Sequence, residues 1–387
     1  MAEKDIISTL PDEILCHILS FLETKQSVST SILSKRWKHI WRSVPTLLIN
    51  AEILNQNSNS AFIDFVNSVL FSRAAFPIQS FHLTVWYDYP LWCPVENLTN
   101  WVNFVVQRGV EFLNLDMTSD RYPKLPITVL TCKTLVVFKL SSFRMKHCCF
   151  SSVLLPSLET LHLEYVEFPE LRDFMLFLTG CPNLQDLYTH EMCYFDSDSM
   201  ESLTCNEWKS LLLSNLTLAN IDCYNCYLPM KAVQNVQSLI LYYNQQECYC
   251  DDLIPTFHNL TQLELTCCEY SKELLLDVLN HCPKLQRLDL TEIEGDQARD
   301  RKDDKTIWVF PDDVPQCLSL HLRTCNLFRF LGLHGELMLA SYILKNASVL
   351  QTMKIWNSGK QKRAIKRILS AVPMASSMCK LRVYNDS

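Results

Sequence analysis

Glycine is scarce in this chain. Six occur in 387 residues, poor material for loops that cradle phosphates by close backbone approach. No run of 18 uninterrupted apolar residues occurs, so a conventional membrane span is not expected. Met1–Ser8 carries Glu3, Lys4 and Asp5 and lacks an apolar core, so no secretory signal is expected there. The spacings G-x-S-x-G, H-E-x-x-H, G-x-x-x-x-G-K-[ST] and G-x-G-x-x-G are all missing. A basic footprint is missing too. Net charge is −7 and the pI is near 5.8, which argues against a general nucleic-acid binder.

Cysteine, by contrast, is plentiful at 18 residues. Without a secretory start these read as reduced thiols in a cytoplasmic or nuclear protein, packing as small apolar side chains. The best metal candidate is Cys223-x-x-Cys226 with Cys248-x-Cys250. Four thiolates can hold zinc, but one pair is wrongly spaced, and Tyr224, Tyr227 and Tyr249 suggest packing. No catalytic, cofactor-binding or metal-binding residue is assigned. Lys354–Arg382 holds eight Lys/Arg and no Asp or Glu. Within it, Lys362, Arg363, Lys366 and Arg367 line one face of a helix backed by Ile365, Ile368, Leu369 and Val372, which reads first as a solvated face.

Leu10–Pro45 reads as three short amphipathic helices. Pro11 suits a first helical turn, and Thr9 stands three residues before Asp12 as in a capping box. Ile14, Leu15, Ile18, Leu19 and Leu22 recur at helical spacing. Val28, Ile32 and Leu33 follow. Ser34 is a candidate cap for a third helix with Trp37, Ile40 and Trp41. About 35 residues are too few to sustain a core alone. The unit therefore either packs on the rest of the chain or takes a partner. These residues, ending in LSKRWKHIWRSVP, resemble an F-box of the plant type. The resemblance implies docking to the Skp adaptor of cullin–RING ubiquitin ligases. It puts Leu10, Pro11, Ile14, Leu15, Ile18, Leu33, Ser34, Trp37 and Trp41 at the adaptor-binding surface. Lys35, Arg36, Lys38 and Arg42 form a basic patch that either steers an acidic adaptor or serves solubility.

Beyond a strand at Thr46–Ile49 and a helix over Ala61–Ser72, a repeat of the form L-x-x-L-x-L begins. Its copies start at Ile78, Val110, Leu135, Leu158, Leu184, Leu213, Val236, Leu260 and Leu285. The Leu184 copy is degraded, ending at Thr189. The Leu213 copy continues through Leu216 and Leu218. Each copy supplies a strand whose alternate residues face inward, and one unit cannot bury its own face, so units stack. Phe174–Leu178 and Leu274–Leu279 read as return helices that stop at Cys181–Pro182 and Cys282–Pro283. The pattern resembles leucine-rich repeats. His162, Glu264 and Asp289 stand between the inward leucines, as recognition positions would.

After the charged run Glu294–Lys305, a last segment reads as a strand at Cys317, Leu320 and Leu322, then helix, strand, basic helix and strand. Cys317–Leu322, Glu336, Tyr342–Leu344, Asn346, Ala347, Leu350, Met353, Ile355 and Cys379–Tyr384 resemble the FBD domain that ends many plant F-box/leucine-rich-repeat proteins.

The expected fold class is α/β: a three-helix F-box over residues 5–50, a leucine-rich-repeat solenoid over 78–295 and an α/β FBD-like domain over 306–386. The expected role is a non-catalytic substrate-recognition subunit of a Skp–cullin–F-box ligase. It would have an unknown protein target, no cofactor, no nucleic acid and no membrane. A repeat scaffold outside any ligase and an enzyme hidden in the cysteine-rich array are the alternatives. The array is expected to fold without Leu10–Pro45, and Val314–Ser387 to cap it.

Overall fold

The computed structural model describes residues 7–51, 59–73, 75–86, 95–118, 122–146, 153–194, 211–222, 228–243, 254–267, 272–292, 313–359 and 361–385. The chain divides into two compact units. One is Met1–Leu184 with His190–Ser202, and the other is Gln185–Thr189 with Leu203–Ser387.

The first unit opens with α1 (Asp12–Ser20), α2 (Thr24–Ser29) and α3 (Trp37–Ser43), followed by β1 (Thr46–Asn50) and α4 (Asn59–Ser72). Next come β2 (Ser80–Trp86), α5 (Val95–Val106), β3 (Phe112–Thr118), β4 (Val137–Ser141) and β5 (Thr160–Glu164). All five strands pair in chain order and all are parallel. Alternation does the work. Phe81, Leu83, Leu113, Leu115, Phe138, Leu140, Leu161 and Leu163 are buried, while the residues between them face outward.

A second ladder flanks the first. Ser142, Tyr165 and Glu191, each directly after a strand, have φ of 63°, 51° and 45°. This left-handed step turns the chain out of the main sheet. It then re-pairs at Lys124, Arg144 and Glu167, continuing through β6 (Glu167–Phe168) to β8 (Cys193–Tyr194). Phe143, Met145, Val166, Phe168 and Met192 bury themselves beneath it.

Between these lies α6 (Leu171–Thr179), ending at Gly180, Cys181 and Pro182. A side chain at Gly180 would meet the Val153 carbonyl oxygen at 2.8 Å, so glycine is required there.

The second unit runs from β7 (Asp186–His190) to β9 (Leu218–Asp222), β10 (Ser238–Tyr243), β11 (Gln262–Cys267), α7 (Lys272–Asn280) and β12 (Arg287–Glu292). It continues through α8 (Gln316–Leu320), β13 (Thr324–Phe330), α9 (His334–Asn346), β14 (Thr352–Asn357), α10 (Lys362–Ser370) and β15 (Lys380–Asn385). Its strands are again parallel and in chain order.

Four expectations need correction. Register pairs Leu239 and Leu241 with Ala219 and Ile221, so that copy is Leu216, Ala219 and Ile221 and does not start at Leu213. Leu218 is 46% exposed. A cluster of leucines outscored the weaker Ala and Ile that are in fact inward. Second, Cys317–Leu320 lies in α8, and the strand comes later, at Thr324–Phe330. Third, α1 and α3 start after Pro11 and Arg36 with no side-chain cap bond, so neither Thr9 nor Ser34 is the cap.

Fourth, Leu10–Pro45 is not separate from the array: the Pro45 carbonyl accepts from the Gln79 and Ser80 amides at 3.0 and 3.2 Å. Leu47 and Ile49 of β1 stand in register with Phe81 and Leu83, with Val44 in the place of Ile78. Arg73, fully buried after α4, donates to the carbonyls of Trp41, Val44 and Pro77. It thereby caps the end of α3, where helical carbonyls lack partners. Burial lowers its pKa to about 10, against the nearby Cys16 thiol, which raises it.

Candidate functional site

The three N-terminal helices form a small unit with two kinds of apolar residue. Leu15 and Leu19 of α1 are buried, as are Trp37, Ile40 and Trp41 of α3. The loop before α3 is tied to the start of α1. Arg36 Nε donates to Asp12 Oδ1 at 2.8 Å, and Arg36 Nη2 donates to the Leu10 carbonyl at 2.5 Å. Ser27 Oγ donates to the Leu19 carbonyl at 3.1 Å, and the Leu48 amide donates to Thr24 Oγ1 at 2.9 Å, joining α2 to α1 and to β1.

The nine residues named from sequence therefore divide. Leu15, Trp37 and Trp41 are inside, so their part in any surface is to hold it up. Leu10 is half-buried, and Pro11, Ile14, Ile18, Leu33 and Ser34 are exposed. The Arg36 bonds bring the Leu10–Asp12 turn to the loop that carries Leu33 and Ser34. Sequence reasoning left out Ile7, Phe21 and Ile32, which are exposed as well; Ile32 is 86% exposed. Their signal was an excess of apolar residues over what so short a unit can bury. Of the basic patch, Arg36 is engaged with Asp12, while Lys35 and Lys38 are exposed.

The outward faces of the two sheets form the second candidate surface. In the first unit the central outward row runs Leu48, His82, Asn114, Lys139 and His162. His82 stacks on Phe112 at 4.6 Å, and burial, then Lys139, lowers its pKa. In the second unit the row runs Tyr188, Asn220, Ile240, Glu264, Asp289, Asn326, Lys354 and Arg382. Asp289 is nearly enclosed. It accepts from Arg287 Nη2 at 2.7 Å and from Asn326 Nδ2 at 2.6 Å. Burial and the Asp289 charge raise the Glu264 pKa, with Arg287 opposing.

Among the described residues no group of three His, Cys, Asp or Glu is placed to hold a metal. Cys223, Cys226, Cys248 and Cys250 lie outside the described residues, as does the 294–305 charge run. No described helix is long and apolar enough to cross a membrane. Cys181, Cys282 and Cys317 are unpaired and buried, with pKa values pushed up to about 12 by burial. Cys325 fills the same inward position as Leu288 and Met353. These thiols are packing groups.

Comparison with known proteins agrees with the three-part layout. The F-box domain family matches residues 7–48. The leucine-rich repeats of the FBD-associated F-box protein At5g56370 match residues 98–220, and the FBD family matches residues 311–355. The FBD-associated F-box protein At5g38590 of Arabidopsis thaliana is 30% identical over 419 residues, covering 95% of this chain and 99% of the relative. The chain belongs to the F-box/FBD/LRR-repeat family. Two other Arabidopsis thaliana members are each 29% identical. They are the FBD-associated F-box protein At5g56370, with 90% of this chain and 89% of the relative covered, and the F-box/FBD/LRR-repeat protein At4g26340, with 97% and 99%. In structural terms the FBD match holds two further copies of the repeat, Leu322-Cys325-Leu327 and Leu350-Met353-Ile355.

Proposed function

We propose that this protein is the substrate-recognition subunit of a Skp–cullin–F-box ubiquitin ligase. The exposed apolar residues of the N-terminal helices dock the Skp-type adaptor, and the outward sheet faces bind a target protein. The observation that carries this reading is Ile14, Ile18, Ile32 and Leu33 standing exposed on a unit that matches the F-box family. Apolar side chains at such density are stabilised by a covering partner, at roughly 1.5–3 kcal/mol for each one fully buried. The chain itself supplies no transfer chemistry. It raises the effective concentration of target lysines at a ubiquitin-charged enzyme held elsewhere in the complex. The buried, unpaired thiols suit the reducing cytoplasm or nucleus, where we place the protein.

The test is titration of a Skp-type adaptor against the full chain and against an Ile14→Asp, Leu33→Asp double variant. Both positions are exposed, so folding should survive. Binding by the native chain and a loss of about a hundredfold or more in the variant are expected, since two apolar contacts each worth roughly 1.5 kcal/mol or more are replaced by charge. A native chain that binds no adaptor would instead favour a scaffold outside any ligase.

A further inference from the structure

The outward face of the last three strands is unlike the rest of the row. Register places Thr324, Thr352 and Lys380 side by side, then Asn326, Lys354 and Arg382. Two residues further on, Phe328 stacks on Trp356 with centroids 4.4 Å apart and planes 15° apart. Trp356 stacks on Tyr384 at 5.4 Å and 27°. Nine side chains thus share one face, with three cations, three aromatics and no carboxylate. The opposite face buries Cys325, Leu327, Met353, Ile355 and Val383.

Lys354, Lys380 and Arg382 have no ion-pair partner among the described residues. The nearest acid in the row, Asp289, is committed to Arg287 and Asn326. Asn326 is 4% exposed, and its Oδ1 has no hydrogen-bond partner.

The geometry points to an acidic, extended protein segment as the occupant of this face. Rings stacked face to face spend their negative faces on one another and turn their positive edges outward. Edges and cations together present one sign of charge. Carboxylates satisfy it, and apolar side chains pack along the ring edges. A single-stranded nucleic acid fits less well, because bases need open ring faces to stack on. The inference rests on the proposed function in one respect, that the segment belongs to the ligase target.

The test uses the full chain and short fluorescent peptides alternating Glu with Leu, Ser with Leu or Lys with Leu, together with oligothymidylate. Adaptor binding is measured in parallel. The Glu peptide should bind about tenfold or more tighter than the Ser peptide, the Lys peptide should not bind, and added salt should weaken the Glu complex. Lys354→Glu with Arg382→Glu should abolish the preference. Tyr384→Ser, at the edge strand, should weaken binding with charge intact. Equal binding of Glu and Ser peptides, an unaffected charge variant, or tighter binding of oligothymidylate would each overturn the inference. Adaptor binding retained in those cases would leave the proposed function standing.

Discussion

Thr189 occupies a position that Leu83, Leu115, Leu140 and Leu163 fill in the first unit and Ile221 and Leu241 fill in the second. It is 1% exposed, and its hydroxyl has no hydrogen-bond partner. Valine matches threonine in volume without the stranded hydroxyl. Thr189→Val should raise unfolding stability by about 1 kcal/mol, read as a higher urea midpoint at unchanged slope. Glu264 carries a different cost. Its carboxyl titrates above the ordinary 4.5 because burial and Asp289 disfavour its charge. A raised folded-state pKa contributes stability below the unfolded value and loses it as pH rises through the folded value. Glu264→Gln should therefore be more stable than the native protein at pH 7. That advantage should shrink as the pH falls to the unfolded carboxylate range near 4.5. Denaturation of both proteins across this window checks the difference. Residues of this kind were half legible. The sequence placed Glu264 and Asp289 on the outward row because alternation is local. It could not show Asp289 enclosed by Arg287 and Asn326, because that depends on neighbours across strands.

Alternation is also why most strands were readable, and why two elements were not. At Leu211–Leu218 the leucines outnumber the inward positions, so the pattern fits two registers and only pairing with β10 decides between them. At Cys317–Leu320 a short apolar run has no period of its own, and its placement beside α7 makes it helical. Cys317 Sγ donates to the Leu279 carbonyl at 3.4 Å. Single residues far from their partners in sequence are harder still. Arg73 stands in the sequence as a lone cation after an apolar helix, yet it reaches back to the carbonyls of Trp41 and Val44. Arg73→Met would leave these carbonyls dry. A loss of about 2–4 kcal/mol is expected, with hydrogen exchange rising first in α3 and β1. Arg73→Lys should recover only part of it, because an ammonium cannot copy the fork that serves separate carbonyls. An Arg73→Met variant as stable as the native protein would show that α3 and β1 do not depend on this tie.

The three matched families divide the chain by ancestry, but register ties them together physically. Val44 and Leu47, inside the F-box match, and Ile49 just after it form a copy of the repeat, and the FBD match holds two more. A stacked array of this sort gains its stability from each repeat and from the interfaces between neighbours, so a loss in one copy is felt in the next. This sets two physical outcomes apart in the second unit. If the last strands are repeats in an unbroken ladder, Ile355→Ala leaves a cavity beside Leu327 that costs about 2–5 kcal/mol. It should then lower the same cooperative transition that Leu290→Ala lowers, and hydrogen exchange should rise in β12 as well as in β14. If the FBD segment folds as a module of its own, the Ile355→Ala transition separates from that of β9–β12, whose amides keep their native protection. The continuous pairing of Leu290 with Leu327 and of Leu327 with Ile355 favours the first outcome. Unchanged β12 protection in Ile355→Ala would refute it. On the first outcome, cutting the chain after Glu292 strips three in-register strands from β12 and leaves an open edge on a parallel sheet, a template for self-association.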